Sequence, residues 1–157
     1  MTPLQQEFWQ AFRTATGETC ETPSEISAFG DSPAMADELL ALILSGQKTA
    51  TCSLARWYRG PDAEPLPKPG NLALVLDGQD QPRCVLRITS VEIKPICETD
   101  AQFAWDEGEG DRTLEDWMRG HCAFWEREAD REGFSFSTDM DAVYERFELA
   151  WVPAPVA

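Results

Sequence analysis

Apolar and polar positions recur with two different periods along this chain, and the change of period divides it into helices and strands. Near the N-terminus Leu4, Phe8, Ala11, Phe12 and Ala15 repeat at helical spacing. Thr2 is placed to cap that helix, Pro3 fits its first turn, and Gly17 supplies the stop. The polar stretch "ETCETPSEISA" reads as a connector. A second helix follows in "GDSPAMADELLALILSG". There Ser32 caps, Pro33 takes the first position, Met35, Ala36, Leu39, Leu40 and Ile43 form the apolar face, and Gly46 ends it. The period then falls to two. From about Thr49 to Arg56 a strand puts Thr49, Thr51 and Ser53 on one face and Ala50, Cys52 and Leu54 on the other.

"YRGPDAEPLPKPG" is a loop by its prolines and glycines. In "NLALVLDGQDQPRCVLRITSVEI" two apolar runs flank "DGQDQP", which predicts a hairpin whose loop exceeds two residues. A short helix carrying Phe103 and Trp105 leads into the loop "DEGEGDR". The longest helix begins near Thr113, where Thr113 and Asp116 suggest a capping box. Leu114, Trp117, Met118, His121 and Trp125 follow at helical spacing, and Gly133 closes it. A final strand runs from about Ala142 to Val152. Parallel βαβ units are not evident, so the predicted class is α+β, with a mostly antiparallel sheet or small barrel flanked by helices.

Composition adds limits. The chain has 157 residues, 43% of them apolar, which suits one ordinary globular domain. No apolar run reaches membrane-spanning length, and the start "MTPLQQEFWQ" lacks the features of a secretory signal. The 5 cysteines form no C-x-x-C pair and only 1 histidine accompanies them, which argues against a disulfide framework or structural zinc site and for a cytoplasmic address. With 13 basic residues against 28 acidic ones the formal charge is −15. Such a surface repels a long polyanion, so a long nucleic-acid track is not expected, while a local basic pocket stays open.

Three constellations carry candidate chemistry. In the first, Lys48 stands at the mouth of a strand face bearing Thr49, Thr51 and Ser53. A lysine whose pKa is lowered by burial can activate a hydroxyl, although by residue type alone a solvated strand face is the plainer reading. The second is the acidic loop of Asp106, Glu107, Glu109 and Asp111, interleaved with Gly108 and Gly110. Its carboxylates could act as acid or base or hold a divalent cation, or the loop could simply be a solvated turn at a helix N-terminus. His121, the third, lies among apolar helical neighbours and reads as a satisfied, partly buried histidine rather than an acid–base group.

"FGDSPAMADELLALILSGQKTATCSL" resembles the opening of an ASCH domain. "LPKPGNLALVLDG", "CVLRITSVEIKPICETDAQFAWDEGEGDRTLEDW" and "GFSFSTDMDAVYERFELAW" continue the resemblance in order. G-x-K-T-x-T and E-G-E-G-D-R together make it specific. It covers residues 26–152, leaving 1–25 as an added helix and connector and 153–157 as a tail. The resemblance implies a small PUA-like β-barrel with helices over its open side. It also implies a cleft for a nucleoside, nucleotide or short RNA. One branch of the family hydrolyses the amide of N4-acetylcytidine nucleosides without a cofactor; another is a ribonuclease aided by divalent metal. The first branch's catalytic lysine and threonine correspond to Lys48 and Thr51, and its glutamate to Glu109 in the acidic loop. Gly46, Thr49, Ser53, Arg56 and Asp31 would bind substrate. Met118 departs from the Trp-Arg pair that often precedes the family's histidine. The expectation is thus a small hydrolase, with a metal-aided ribonuclease or a non-catalytic nucleotide-binding module as the alternatives.

Overall fold

A computed structural model describes residues 1–156. Among them the elements run α1 (Pro3–Thr16), β1 (Glu25–Ser27), α2 (Pro33–Leu44), β2 (Ala50–Leu54), β3 (Leu72–Leu76), β4 (Pro82–Pro95), α3 (Ala101–Glu107), α4 (Leu114–Glu132) and β5 (Asp141–Trp151). The strands form one mixed sheet in the order β1-β3-β4-β5-β2. β3 pairs antiparallel with β4, and β2 antiparallel with β5. The fold is α+β and PUA-like, with antiparallel pairing predominant.

Three details differ from the sequence expectation. β1 lies inside the stretch read as a connector and pairs parallel with β3, Ile26 opposite Leu74. At three residues it is too short for a period to show. β2 ends at Leu54, because Ala55–Tyr58 coils into a 3-10 turn. The capping box expected at α4 is half formed. Thr113 Oγ1 accepts from Asp116 N at 3.1 Å, but the Asp116 carboxylate accepts from Asp111 N instead of reaching back to the cap. α1 has the complete box, with Thr2 and Gln5 each accepting from the other's backbone N–H.

The chain divides into two compact units. The first holds residues 1–46, 67–89 and those from 147 onward. Trp9 and Phe12 of α1 pack there on Leu72, Leu74 and Leu76 of β3 and Val85 of β4, so α1 is a core element of this unit. Burying a side chain such as Phe12 contributes roughly 1.5–3 kcal/mol. The β3–β4 hairpin is tied by Asp77, whose carboxylate accepts from Gln79 N, Gln81 N and Arg83. That explains a loop of five residues, 77–81, where the sequence predicted a hairpin loop longer than two.

The second unit holds residues 47–66 and 90–146. Ala50 and Leu54 of β2, Phe103 and Ala104 of α3, Trp117 and Trp125 of α4, and Ala142 and Tyr144 of β5 make its core. The even-numbered positions of β2 therefore face inward, as the alternation predicts. This arrangement also draws polar groups inward. Lys48 precedes Ala50 by one strand repeat, and Glu107 follows Phe103 by about one helical turn, on the same buried face. No helix among the described residues is long and apolar enough to cross a membrane.

Candidate active site

Lys48 is 2% exposed. Its Nζ donates to Ala50 O at 2.8 Å, to Glu107 Oε1 at 2.9 Å and to Glu109 Oε2 at 2.9 Å. Every N–H of the ammonium thus has an acceptor. Burial by itself would depress the lysine pKa, but the charges of Glu107 and then Glu109 outweigh it and hold the pKa above its ordinary value. Lys48 is therefore a fixed cation at neutral pH. It is neither a solvated rim residue nor the deprotonated base that the sequence reading allowed.

The two carboxylates answer differently to this cation. Glu107 is 1% exposed, the last residue of α3, and accepts from Lys48, from Trp117 Nε1 and from His121. Burial pushes its pKa up, but Lys48 and His121 overcome that and hold it far below the usual carboxylate range. Glu109 has a side chain 30% exposed. Its pKa is raised, chiefly by burial; Lys48 opposes the rise and the neighbouring Glu107 charge adds to it. Glu107 thus stays ionised, while Glu109 takes up a proton more readily than an ordinary carboxylate.

His121 completes the centre. Nε2 lies 2.9 Å from Glu107 Oε2 and Nδ1 lies 2.9 Å from Trp117 O. Both ring nitrogens face oxygen acceptors, so the geometry calls for the imidazolium. Burial lowers the His121 pKa, but the Glu107 charge outweighs it and the net shift is upward. The ring stacks on Trp117 with centroids 4.0 Å apart, which also favours a cation. The histidine is well partnered, as its apolar neighbours suggested, yet its partner is the most buried acid of the site.

The remaining predicted residues occupy varied places. Thr51 sits opposite Glu145 on β5, on the strand face away from Cys52. Its half-buried hydroxyl has no hydrogen-bond partner among the described residues, so the resting structure does not bond it to Lys48. Thr49 is a tie: its N–H and hydroxyl both donate to Asp106 O, fastening β2 to α3. Ser53 Oγ lies 3.1 Å from the Tyr58 hydroxyl. Arg56 is exposed, its guanidinium 3.5 Å from the Phe134 ring centroid, and no described contact brings it to Lys48. Gly46, with φ +83, turns the chain out of α2. Asp31 is exposed in the first unit, ahead of α2. Sequence reading named Glu107 only as one carboxylate of the acidic loop and His121 as a satisfied histidine, and gave neither a place beside Lys48. The available signal was a glutamate one turn beyond Phe103 on an apolar helix face.

Glu107, Glu109 and His121 bring candidate ligand atoms within 4.8 Å of one another. They do not suit a divalent cation. The Lys48 ammonium already stands 2.9 Å from both carboxylates, and the other Glu107 oxygen accepts from Trp117 and His121. With the imidazolium and ammonium balancing two carboxylates, the set has no excess negative charge to attract a metal.

A PUA-like α+β domain that buries a lysine–glutamate–histidine centre is the class of protein that fold and site define. The chain belongs to the ASCH domain family, whose sequence model matches residues 25–150. It is similar to a solved ASCH domain from Lactobacillus crispatus, with 33% identity, 96% of each chain covered and a TM-score of 0.85. It is also similar to a protein of Enterococcus faecalis of known structure, with 34% identity, 100% of this chain and 99% of that one covered, and a TM-score of 0.86. Among curated proteins, none matches the chain.

Proposed function

We propose that this chain is a hydrolase that removes an acyl group from the exocyclic amine of a modified cytidine-type nucleoside or nucleotide. The observation that carries this reading is the geometry of Glu107 and Glu109: both lie 2.9 Å from one buried ammonium, one enclosed and the other partly exposed, and this difference lowers the pKa of the first and raises that of the second. A carboxylate held ionised beside one free to take a proton is a division of labour suited to acid–base catalysis. The substrate class follows from the family resemblance at Lys48 and Thr51, and the charge of −15 suits a small ligand better than a long polyanion.

In this reading Thr51 Oγ1 attacks the acyl carbon and its proton passes to the Glu109 carboxylate. Neutralised Glu109 relaxes its hold on Lys48, and the N–H so released donates to the developing oxyanion. The proton then moves to the departing amine as the C–N bond breaks. Water hydrolyses the threonine ester with Glu109 again as base, restoring the hydroxyl and releasing the carboxylic acid. Glu107 and His121 keep the Lys48 charge in place throughout. The test is turnover of N4-acetylcytidine by the wild type, Glu109→Gln and Thr51→Ala. Activity in the wild type and its loss in both variants is expected. Binding without turnover in the wild type would point instead to a nucleotide-binding module.

A further inference from the structure

Arg112 stands apart from the other charged residues of the acidic loop. It has φ +65, a left-handed conformation uncommon for a side-chain-bearing residue. Two contacts hold it there. Its N–H donates to Glu109 O at 3.1 Å, closing a turn that has Glu109 at one end and Arg112 at the other. Its Nε donates to Trp105 O at 2.9 Å, while the guanidinium lies 3.8 Å from the Trp105 ring centroid. Trp105 is 53% exposed, so the stack is at the surface. The side chain is fixed in position and plane, yet among the described residues neither terminal amino group has an acceptor. Among the described residues Arg112 pairs with no carboxylate, in a chain with 28 acidic residues.

The nearby acids are engaged elsewhere. Glu109 is bonded to Lys48. Asp111 accepts from Thr113 N and Thr113 Oγ1, and this holds its pKa below the ordinary value. Asp116 accepts from Asp111 N and from Arg119. Asp106 is paired with Arg146. A pre-positioned guanidinium with open edge donors is matched to a tetrahedral oxyanion, because its fork meets two oxygens at once. Stacking a base on it would leave those donors unmet.

From this geometry we infer that Arg112 is a specificity-determining residue that binds the phosphate of the substrate, so that the site takes a phosphorylated nucleoside in preference to the free one. The inference rests on the proposed nucleoside site and adds its phosphate contact. Trp105 is the positioning partner that sets the guanidinium plane.

The experiment is calorimetric titration of wild type, Arg112→Gln and Arg112→Lys with cytidine, cytidine 5′-monophosphate and inorganic phosphate. The wild type is expected to prefer the monophosphate over cytidine by about tenfold or more, the scale of one charge-assisted contact. That ratio should collapse in Arg112→Gln and recover in part in Arg112→Lys. Inorganic phosphate should bind more weakly than the monophosphate, since it lacks the nucleoside. A wild type that binds cytidine and the monophosphate equally overturns the phosphate contact and leaves the nucleoside site standing. The same holds if the preference survives Arg112→Gln. A preference that depends on Arg112, in a protein that turns over no acylated substrate, supports the contact and overturns the hydrolase. A wild type that binds neither nucleoside nor nucleotide overturns both.

Discussion

Glu107 and Glu109 are two positions apart, share one lysine and titrate in opposite directions. The difference is one of depth: Glu107 is enclosed with two cationic partners, while Glu109 lies at the opening beside a second negative charge. Removing one member of a buried pair leaves the other uncompensated and costs about 3–5 kcal/mol. Lys48→Met should therefore lower urea-unfolding stability by that order. The double variant Lys48→Met/Glu107→Gln should lose clearly less than the sum of the two single changes; strict additivity would show that the pair is not coupled. His121 gives a pH signature. Its pKa is raised above 6.5, so its contribution is complete below pH 6.5 and is lost as pH rises through the raised value. The stability gap between wild type and His121→Asn should be widest in mild acid and narrow as pH rises. A gap independent of pH would refute the imidazolium.

At the scale of elements, the site is made by the segment leading into β2, the end of α3 with the loop after it, and α4, which carries Trp117 and His121. β2 brings Lys48 inward on the parity of Ala50, and α3 brings Glu107 inward on the turn of Phe103. The loop after α3 folds back through Gly108 at φ +72 and Gly110 at φ +58. A Cβ on Gly110 would collide with the Asp116 carboxylate, and the left-handed backbone would add strain. Gly110→Ala should reduce activity with little change in the far-ultraviolet circular dichroism of the helices; wild-type turnover would show that the loop's shape is not needed. Most of these elements were legible in the sequence because long amphipathic segments declare their period. β1 was not, since three residues of a parallel edge carry none. Lys48 was singled out, but its burial was hidden. Alternation assigned an inward face to Ala50 without revealing that acids from residues 59 and 61 positions later would meet the lysine there. Glu107 was in view as one of four loop acids, but its place beside Lys48 was hidden for the same reason, because that partner lies 59 positions away.

For the molecule as a whole, in the proposed reading, the surplus of 15 negative charges is unfavourable to a long polyanion, and the Lys48 ammonium stands between the carboxylates where a cation would sit. Chelation by EDTA should leave turnover unchanged; a loss reversed by Mg²⁺ or Mn²⁺ would show that the carboxylates serve a metal after all. The most direct test of the central claim is the single-turnover rate of N4-acetylcytidine hydrolysis by wild type and by folded Glu109→Gln across pH. The account predicts a wild-type rate that climbs as pH rises through the elevated Glu109 pKa, and a loss of about 10²–10⁴-fold in Glu109→Gln with that limb abolished. Equal rates for the two proteins, with the same pH dependence, would contradict it.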